Sequence, residues 1–141
     1  MQLTPYLFFD GKCAEAIDFY KSAIGADIVF MMQYKDAPEP LPEGMNSPEL
    51  QDCVMHASFK IGDSEVMASD APPGNHKGHN GFSLSITVAD ENEAKKTFAA
   101  MSDGGKVQMP LGPTFFSPCF GTLVDKFGVE WMVYVEGNPA N

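Results

Sequence analysis

The stretch that decides the fold is residues 10–30, DGKCAEAIDFYKSAIGADIVF, because a related stretch follows at residues 90–109, DENEAKKTFAAMSDGGKVQM. Placed 79 residues apart, the two stretches agree at four pairs: Phe19 with Phe98, Gly25 with Gly104, Ile28 with Val107 and Phe30 with Met109. Each stretch has a polar start, an amphipathic segment, a glycine and a β-forming run. Two copies of one supersecondary unit indicate a fold built from two related modules.

The amphipathic part of each stretch is predicted to be a helix, over about 12–24 and about 91–103. The first apolar stripe, at helical spacing, is Cys13, Ala16, Ile17, Tyr20 and Ile24. Gly25 stands where a left-handed residue ends a helix. The second helix begins with Asp90 and Glu93, the spacing of a capping box. Its apolar stripe is Ala94, Phe98 and Met101.

Composition places the chain among single globular domains of residues 1–141. Its apolar content is 44% and it contains 11 phenylalanines. The net charge is −10, from 19 acidic and 9 basic residues. This balance argues against nucleic acid and anionic membranes as partners, because both require clustered Lys and Arg.

Cysteine usage and the amino-terminal segment predict a cytoplasmic protein. The odd number of cysteines (Cys13, Cys53 and Cys119) shows no metal-type spacing, which is typical of a reducing compartment. Residues 1–9 lack the basic start and apolar run of a signal peptide. No apolar run approaches the roughly 18 residues that a membrane span needs.

Eight strands are predicted from β-forming runs and alternation: 3–9, 27–35, 54–61, 65–69, 82–88, 106–111, 115–125 and 129–135. Turn signals stand at Gly62-Asp63 and at Phe127-Gly128, where Asp125 is also interpreted as a turn residue. Module one is therefore predicted at about 1–71, a linker at 72–81 and module two at about 82–136. Each module has the order β-α-β-β-β.

The segment 36–51 contains four prolines, three glutamates, one aspartate and neither Lys nor Arg. Proline at this density excludes a continuous strand or helix. Two interpretations stay open: a solvated surface loop, or a mobile lid over a ligand site.

Five segments carry a family resemblance: PYLFFDG at 5–11, EAIDFY at 15–20, HASFKIGDSEVMASD at 56–70, FSLSITV at 82–88 and LVDKFGVEWMV at 123–133. With the paired modules, they make the chain similar to the vicinal oxygen chelate superfamily, which includes glyoxalase I, extradiol dioxygenases and bleomycin-resistance proteins. It most resembles the PhnB-like branch. Members of that branch have been labelled ubiquinone-pathway methyltransferases, but nothing in this sequence resembles a methyl-donor site.

The resemblance implies an α+β fold in which two βαβββ modules form a curled eight-stranded mixed sheet, a cup, with the helices on its outer face. Metal-using relatives place four His or Glu ligands on the first, fourth, fifth and eighth strands. The matching positions here are Thr4, Met67 (or Ala68), Ser83 and Met132. Hydroxyls and thioethers are poor ligands for Zn, Ni, Mn or Fe(II). The expectation is therefore a chain without a metal site or cofactor, which disfavours metal-dependent isomerisation and ring cleavage.

Candidate chemistry is sparse. His56 lies mid-strand on one face with Ser58 and Lys60; it is the candidate catalytic residue, against the alternative of a structurally satisfied histidine. His76 and His79 have H-x-x-H spacing, but in a Gly-rich loop. Cys119 lacks a basic neighbour in sequence and is expected to be buried and inert.

The predicted ligand pocket combines hydroxyl, aromatic and Met side chains: Thr4, Tyr6, His56, Met67, Ser83, Phe115, Trp131 and Met132. Phe116 is a further wall candidate, although an aromatic at strand spacing is usually core. We therefore expect a metal-free protein that binds an apolar or aromatic small molecule and, as the resemblance implies, forms a homodimer. The alternatives are an enzyme acting on a small metabolite with a non-standard residue set, and an interaction module without a cavity.

Overall fold

The structure, a computed structural model, describes residues 1–137. It contains helices α1 (Cys13–Ile24) and α2 (Glu91–Ser102) and two short 3-10 turns, Tyr34–Asp36 and Pro48–Leu50. Its strands are β1 (Tyr6–Phe9), β2 (Asp27–Gln33), β3 (Val54–Ile61), β4 (Ser64–Asp70), β5 (Leu84–Val88), β6 (Lys106–Gly112), β7 (Phe120–Val124) and β8 (Glu130–Val135). The chain divides into two compact units, residues 1–78 and the part that begins at His79. The βαβββ order predicted for each half is confirmed.

The strands are hydrogen-bonded as two four-stranded sheets, β1-β4-β3-β2 and β5-β8-β7-β6. In each sheet the first and last strands of the module pair in parallel, and the other neighbours are antiparallel. The prediction of one curled eight-stranded mixed sheet is corrected: the strands form two separate four-stranded mixed sheets. The reason is that each module completes its own ladder, because its crossover helix returns the chain to the same sheet.

Four strands begin later than predicted: β5 and β8 by two and one residues, and β1 and β7 by three and five. β1 starts at Tyr6, after Pro5, whose ring nitrogen carries no donor for a ladder. β7 starts at Phe120 because the preceding residues form a turn: Thr114 N–H donates to Ser117 O at 2.8 Å, and Ser117 N–H donates to Thr114 Oγ1 at 3.1 Å. The strand propensity of the phenylalanines in this segment is overridden by the hydroxyl side chain.

Module one packs α1 on one face of its sheet. The buried helix residues are Cys13, Ala16, Ile17 and Tyr20, and the Tyr20 ring stacks on Phe59 with centroids 6.0 Å apart. The buried sheet residues on this face are Leu7, Phe9, Ala57, Phe59, Val66 and Ala68. The helix ends as predicted at Gly25, which has φ 70°. The helix therefore covers one face of the sheet and leaves the other face uncovered.

A buried carboxylate holds the ends of three elements in module one. Asp70 is 2% exposed; its Oδ1 accepts from Cys13 N–H at 3.0 Å and its Oδ2 accepts from Val54 N–H at 2.9 Å. Its backbone carbonyl accepts from Tyr34 Oη at 2.7 Å. An ionised group is tolerated inside a protein only when its oxygens are paired in this way. Asp70 therefore ties the start of α1 and the start of β3 to the end of β4.

Module two repeats the arrangement with different contacts. α2 begins at Asp90, whose side chain accepts from Glu93 N–H at 2.8 Å, and it buries Ala94, Phe98 and Met101. A Cβ built on Gly121 of β7 would lie 2.8 Å from Phe98 Cε2. Only glycine therefore lets Phe98 approach β7 this closely.

Asp125 is the buried carboxylate of module two. Its Oδ1 accepts from Phe127 N–H at 2.8 Å and Val129 N–H at 3.1 Å, and its Oδ2 accepts from Trp131 Nε1 at 2.8 Å. Gly128 in this turn has φ 89°. The interpretation of Asp125 as a turn residue is confirmed, and the turn is linked to the core through the indole.

Candidate functional site

The candidate site is the side of the module one sheet that faces away from α1. We call it the open face and define it by six side chains: Tyr6, Phe8, Phe30, His56, Ser58 and Met67. Register places four of them in one row across the sheet, in the order Tyr6, Met67, Ser58 and Phe30. Directly paired residues share a face, so these side chains are neighbours.

The open face exposes aromatic rings that a core would bury. Tyr6, Phe8 and Phe30 are 38%, 52% and 44% exposed. Tyr6 and Phe8 contact each other with ring centroids 4.9 Å apart. Adjacent exposed apolar side chains mark a surface that contacts a ligand or another protein.

His56 lies among these rings and is held by one of them. Tyr6 Oη is 3.1 Å from His56 Nδ1, and the His56 ring lies 5.6 Å from the Tyr6 centroid and 6.0 Å from that of Phe30. Within residues 1–137, Nδ1 is the one ring nitrogen of His56 with a hydrogen-bond partner. The imidazole is thus oriented by one nitrogen, and Nε2 is left available to a ligand.

A second polar pair lies in the same row. Ser58 is 7% exposed and its Oγ donates to Glu65 Oε1 at 2.9 Å. Glu65 is also the register partner of Lys60. A buried hydroxyl that donates its hydrogen bond to a carboxylate still has lone pairs that can accept another hydrogen bond.

Module two has an equivalent row. Ser85 pairs with Met132, Met132 with Thr122, and Thr122 with Met109. A cluster of rings stands beside this row: Phe116 lies 5.0 Å from Phe120 and 6.4 Å from Tyr134, centroid to centroid. Both modules therefore present methionine, hydroxyl and aromatic side chains on the face that their helix leaves uncovered.

The predicted pocket residues are placed as follows. In module one the structure brings Tyr6, His56 and Met67 together, whereas Thr4 precedes β1. In module two Met132 lies in the open row and Ser83 precedes β5. Phe115 is 91% exposed in the turn before β7. Trp131 is 2% exposed and bonded to Asp125, so it points away from the face of Met132, as neighbours in a strand must.

Sequence reasoning did not select Phe8, Phe30 and Glu65 for the pocket. The signal was available for two of them, because Phe8 alternates with the buried Leu7 and Phe9, and the turn at Gly62-Asp63 brings Glu65 beside β3. Phe30 required the register between β2 and β3, which contains a bulge between Ile28 and Phe30. Period alone does not locate such an insertion.

The histidines of the linker make contacts of their own. His76 Nε2 is 3.0 Å from Phe8 O, and the His79 ring contacts Phe82 edge to face with centroids 6.3 Å apart. Residues 1–137 contain no group of three or more His, Cys, Asp or Glu side chains that is arranged to hold a metal ion. The hydroxyls and thioethers at Thr4, Met67, Ser83 and Met132 do not fit a transition metal, because they supply neither charge nor nitrogen.

The two buried thiols, Cys13 and Cys119, both have raised pKa values. Burial raises the pKa of Cys13 far above its ordinary value, and the Asp70 carboxylate adds to that rise. Burial also raises the pKa of Cys119, which is 4% exposed. The expectation that Cys119 is buried is confirmed, and neither thiol has the depressed pKa of a nucleophile.

The segment between β2 and β3 is fastened at its ends. Lys35 Nζ and Asp52 Oδ1 form a salt bridge of 2.9 Å, and Leu50 is 2% exposed. Asn46 Nδ2 donates to Leu41 O at 3.1 Å inside the segment.

Among residues 1–137 no helix is long and apolar enough to cross a membrane.

Comparison with known proteins gives the family. The sequence profile named 3-demethylubiquinone-9 3-methyltransferase matches residues 1–134. The chain belongs to this family. This PhnB-like family includes a Bacillus cereus protein described as a putative 3-demethylubiquinone-9 3-methyltransferase, PhnB protein. Its structure is 32% identical with a TM-score of 0.77, over 96% of this chain and 99% of that one.

Two further relatives cover nearly the whole PhnB-like chain. Protein YjdN of Escherichia coli K12 is 34% identical over 96% of this chain and 95% of its own length. The crystal structure of PA1353 from Pseudomonas aeruginosa is 41% identical, with a TM-score of 0.84 over 96% of this chain and 98% of that one. The fosfomycin resistance protein FosX of Listeria monocytogenes, 7% identical with a TM-score of 0.65 over 95% and 90%, shares the fold. The resemblance to the vicinal oxygen chelate fold is thereby confirmed.

Proposed function

We propose that this protein binds an apolar or aromatic small molecule on the open face of module one. The observation that carries the proposal is the group of exposed rings, Tyr6, Phe8 and Phe30, around an oriented His56. Ligand sites are mostly apolar and contain a few placed polar groups. A flat aromatic ring that packs here gains about 25 cal/mol of binding free energy for each Å² of apolar surface removed from water.

The polar groups of the open face supply orientation. His56 presents Nε2 beside the rings, and Ser58 presents a hydroxyl oxygen whose proton is directed to Glu65. A ligand with a polar substituent gains about 0.5–1.5 kcal/mol for each such hydrogen bond. Met67 lies between Tyr6 and Ser58 in the row, and its flexible side chain can adapt to ligands of different shape.

The equivalent row of module two, with Met132 and Thr122, contains the same classes of side chain. We further propose that the protein acts as a homodimer. Neither a metal nor a cofactor is assigned to the site, because the four ligand positions of metal-using relatives hold Thr4, Met67, Ser83 and Met132 here.

The test is a titration with N-phenyl-1-naphthylamine, a neutral aromatic probe that fluoresces when it leaves water. We expect saturable binding to the wild-type protein and an affinity at least tenfold lower for Phe8→Asp, which places a charge among the rings. Phe19→Asp on α1, outside the open face, is the control and should bind as wild type does. Linear, unsaturable fluorescence, or equal loss in both variants, contradicts the proposal. A thermal-shift screen against aromatic metabolites then identifies the ligand class, because a ligand at 100 times its Kd raises stability by about 2.7 kcal/mol.

The second candidate is an enzyme in which His56 acts as a base. The hydrogen bond between Tyr6 Oη and His56 Nδ1 favours it, since an orienting partner on one ring nitrogen is typical of catalytic histidines. Turnover discriminates the two functions. A binding protein protects its ligand without product, whereas an enzyme consumes it and loses at least 100-fold in kcat in His56→Ala.

A further inference from the structure

Glu65 brings a carboxylate to the open face, and this carboxylate has no cationic partner there. Its Oε1 accepts from Ser58 Oγ at 2.9 Å, and Ser58 lies in the row of the open face beside Phe30. Glu65 is only partly exposed, yet it forms no salt bridge with any of residues 1–137. Its Oε2 has no hydrogen-bond partner in the same part of the chain. One carboxylate oxygen is therefore available to a donor from outside the protein.

The neighbouring row of the sheet is acidic overall. Lys60 pairs with Asp27 on one side and with Glu65 on the other, so the three residues share a face. They lie on the face of Ser58, because Lys60 follows it by two residues in β3. The Lys60 side chain is exposed, which keeps its ammonium group in water. One ammonium between two carboxylates leaves a net charge of −1 beside the rings of the open face.

The repeat supplies an internal comparison. Glu65-Val66-Met67 recurs as Glu130-Trp131-Met132, so Glu130 is the equivalent carboxylate of module two. Gln108 Nε2 lies 3.5 Å from Glu130 Oε1 and gives that carboxylate an amide donor from the edge strand β6. At the 79-residue spacing of the repeat, Gln108 corresponds to Val29, whose side chain has no donor. Module one therefore lacks the amide that its sister module directs toward this carboxylate.

We propose that the ligand of the open face is an organic cation, an aromatic or apolar compound with a protonated amine. The amine donates to Glu65 Oε2 and to the hydroxyl oxygen of Ser58, which acts as an acceptor because its own proton is directed to Glu65. The exposed rings of Tyr6, Phe8 and Phe30 favour the same ligand, since the face of an aromatic ring attracts a cation.

An anionic ligand is disfavoured, because its charge would meet the Glu65 carboxylate next to Ser58. The net charge of the chain, −10, acts in the same direction by attracting cations and repelling anions. This inference rests on the proposed function, because it assigns a charge class to the ligand of the same face.

The test compares three naphthalenes as competitors of N-phenyl-1-naphthylamine at neutral pH: 1-naphthylmethylamine, 1-naphthalenemethanol and 1-naphthoate. They share one ring system and carry a positive, a zero and a negative charge, because an alkyl amine with a pKa of about 10 is protonated at neutral pH. We expect the amine to bind about tenfold more tightly than the alcohol, in line with a hydrogen bond to a charged group. The anion should bind most weakly.

Glu65→Gln is the variant, and Glu130→Gln is its matched control, because both remove one negative charge at the same position of the repeat. Glu65→Gln should reduce the preference for the amine over the alcohol to less than about twofold, whereas Glu130→Gln should keep it. Raising NaCl from about 50 to about 500 mM should weaken binding of the amine to wild type and leave the alcohol nearly unchanged. This salt series needs no variant and decides the matter if Glu65→Gln does not fold.

The two proposals fail separately. If N-phenyl-1-naphthylamine does not bind saturably, the open face is not a ligand site. If the probe binds but the amine has no advantage over the alcohol, the ligand site stands and its charge class is wrong. Salt-independent binding of the amine, or equal loss of the preference in Glu65→Gln and Glu130→Gln, likewise overturns the assignment to Glu65.

Discussion

Tyr6 Oη and His56 Nδ1 lie 3.1 Å apart, which links the first strand to a residue 50 positions further along the chain. The bond fixes the plane of the imidazole, whichever ring nitrogen holds the proton. It also fixes Tyr6 against the sheet, although 38% of the residue stays exposed. The pair is therefore a rigid polar point in an otherwise apolar surface.

Tyr6→Phe tests this point with the loss of one oxygen atom. We expect binding of N-phenyl-1-naphthylamine to change less than twofold, since the ring remains. Binding of a ligand with a polar substituent, found in the thermal-shift screen, should weaken about 3–10-fold, in line with the loss of one hydrogen bond. Tyr134→Phe in module two is the control. If both ligands respond alike to Tyr6→Phe, His56 does not contact the polar substituent.

Asp70→Asn should lower the free energy of unfolding by about 2–3 kcal/mol. The reason is that an amide nitrogen would face one of two backbone donors, at Cys13 and Val54, that the carboxylate now satisfies. Urea unfolding at pH 7 measures the change. Asp52→Asn breaks only the exposed salt bridge to Lys35 and should change stability by less than about 0.5 kcal/mol. Equal effects of the two variants would show that the buried hydrogen bonds of Asp70 contribute no more to stability than the exposed salt bridge of Asp52 does.

Gly121→Ala should destabilise the protein by about 1–3 kcal/mol. The new Cβ would lie 2.8 Å from Phe98 Cε2 and 3.0 Å from Met109 O, so α2 or β6 must shift. Gly112→Ala is the matched control, because its Cβ meets nothing within 4 Å. It should be neutral or stabilising by up to about 1 kcal/mol, since it restricts the unfolded chain. Thermal melting of the pair checks both, and a neutral Gly121→Ala would mean that Phe98 has room to move.

The stability of the fold should fall at alkaline pH through Cys13. Burial raises the pKa of this thiol above its unfolded value of about 8.5, so the folded state keeps the proton that the unfolded state releases. Its contribution is fully present below pH of about 8.5 and decreases above it, by at most about 1.4 kcal/mol per pH unit. Urea unfolding at intervals between pH 7.5 and 10.5 gives the slope.

Cys13→Ala should reduce that slope, whatever it does to stability at pH 7.5. Cys53→Ala should reduce it less, because burial of Cys53, the main cause of its raised pKa, is only partial. A slope unchanged by Cys13→Ala would assign the alkaline loss to other groups, among them Tyr34, whose pKa burial also raises.

Much of the fold follows from sequence because its signals are local. The stripe that ends at Gly25 and the cap at Asp90 define both helices to within a residue or two. The repeat then predicts the module order. The division into two sheets was not predictable in this way, because it depends on which strands pair at long range, and period carries no information on that.

The site was predictable in part for the same reason. His56 and Ser58 were placed on one face by alternation, and Tyr6 and Met67 by their strands. Trp131 was selected for its ring, yet the hydrogen bond to Asp125 and the parity of β8 place it in the core. Phe30 was missed because a bulge shifts β2 by one residue. Composition indicates which residue types such a surface contains, and strand register determines which individual residues face it.

The single tryptophan of the chain belongs to module two, where it is bonded to Asp125, and three of the four tyrosines belong to module one. Fluorescence excited at 295 nm therefore follows the melting of one half alone, whereas tyrosine emission reports mainly on the other. The natural protein thus carries a separate optical label in each sister half. Comparison of the two signals during denaturation reveals whether the halves melt together or in succession, without any dye or substitution.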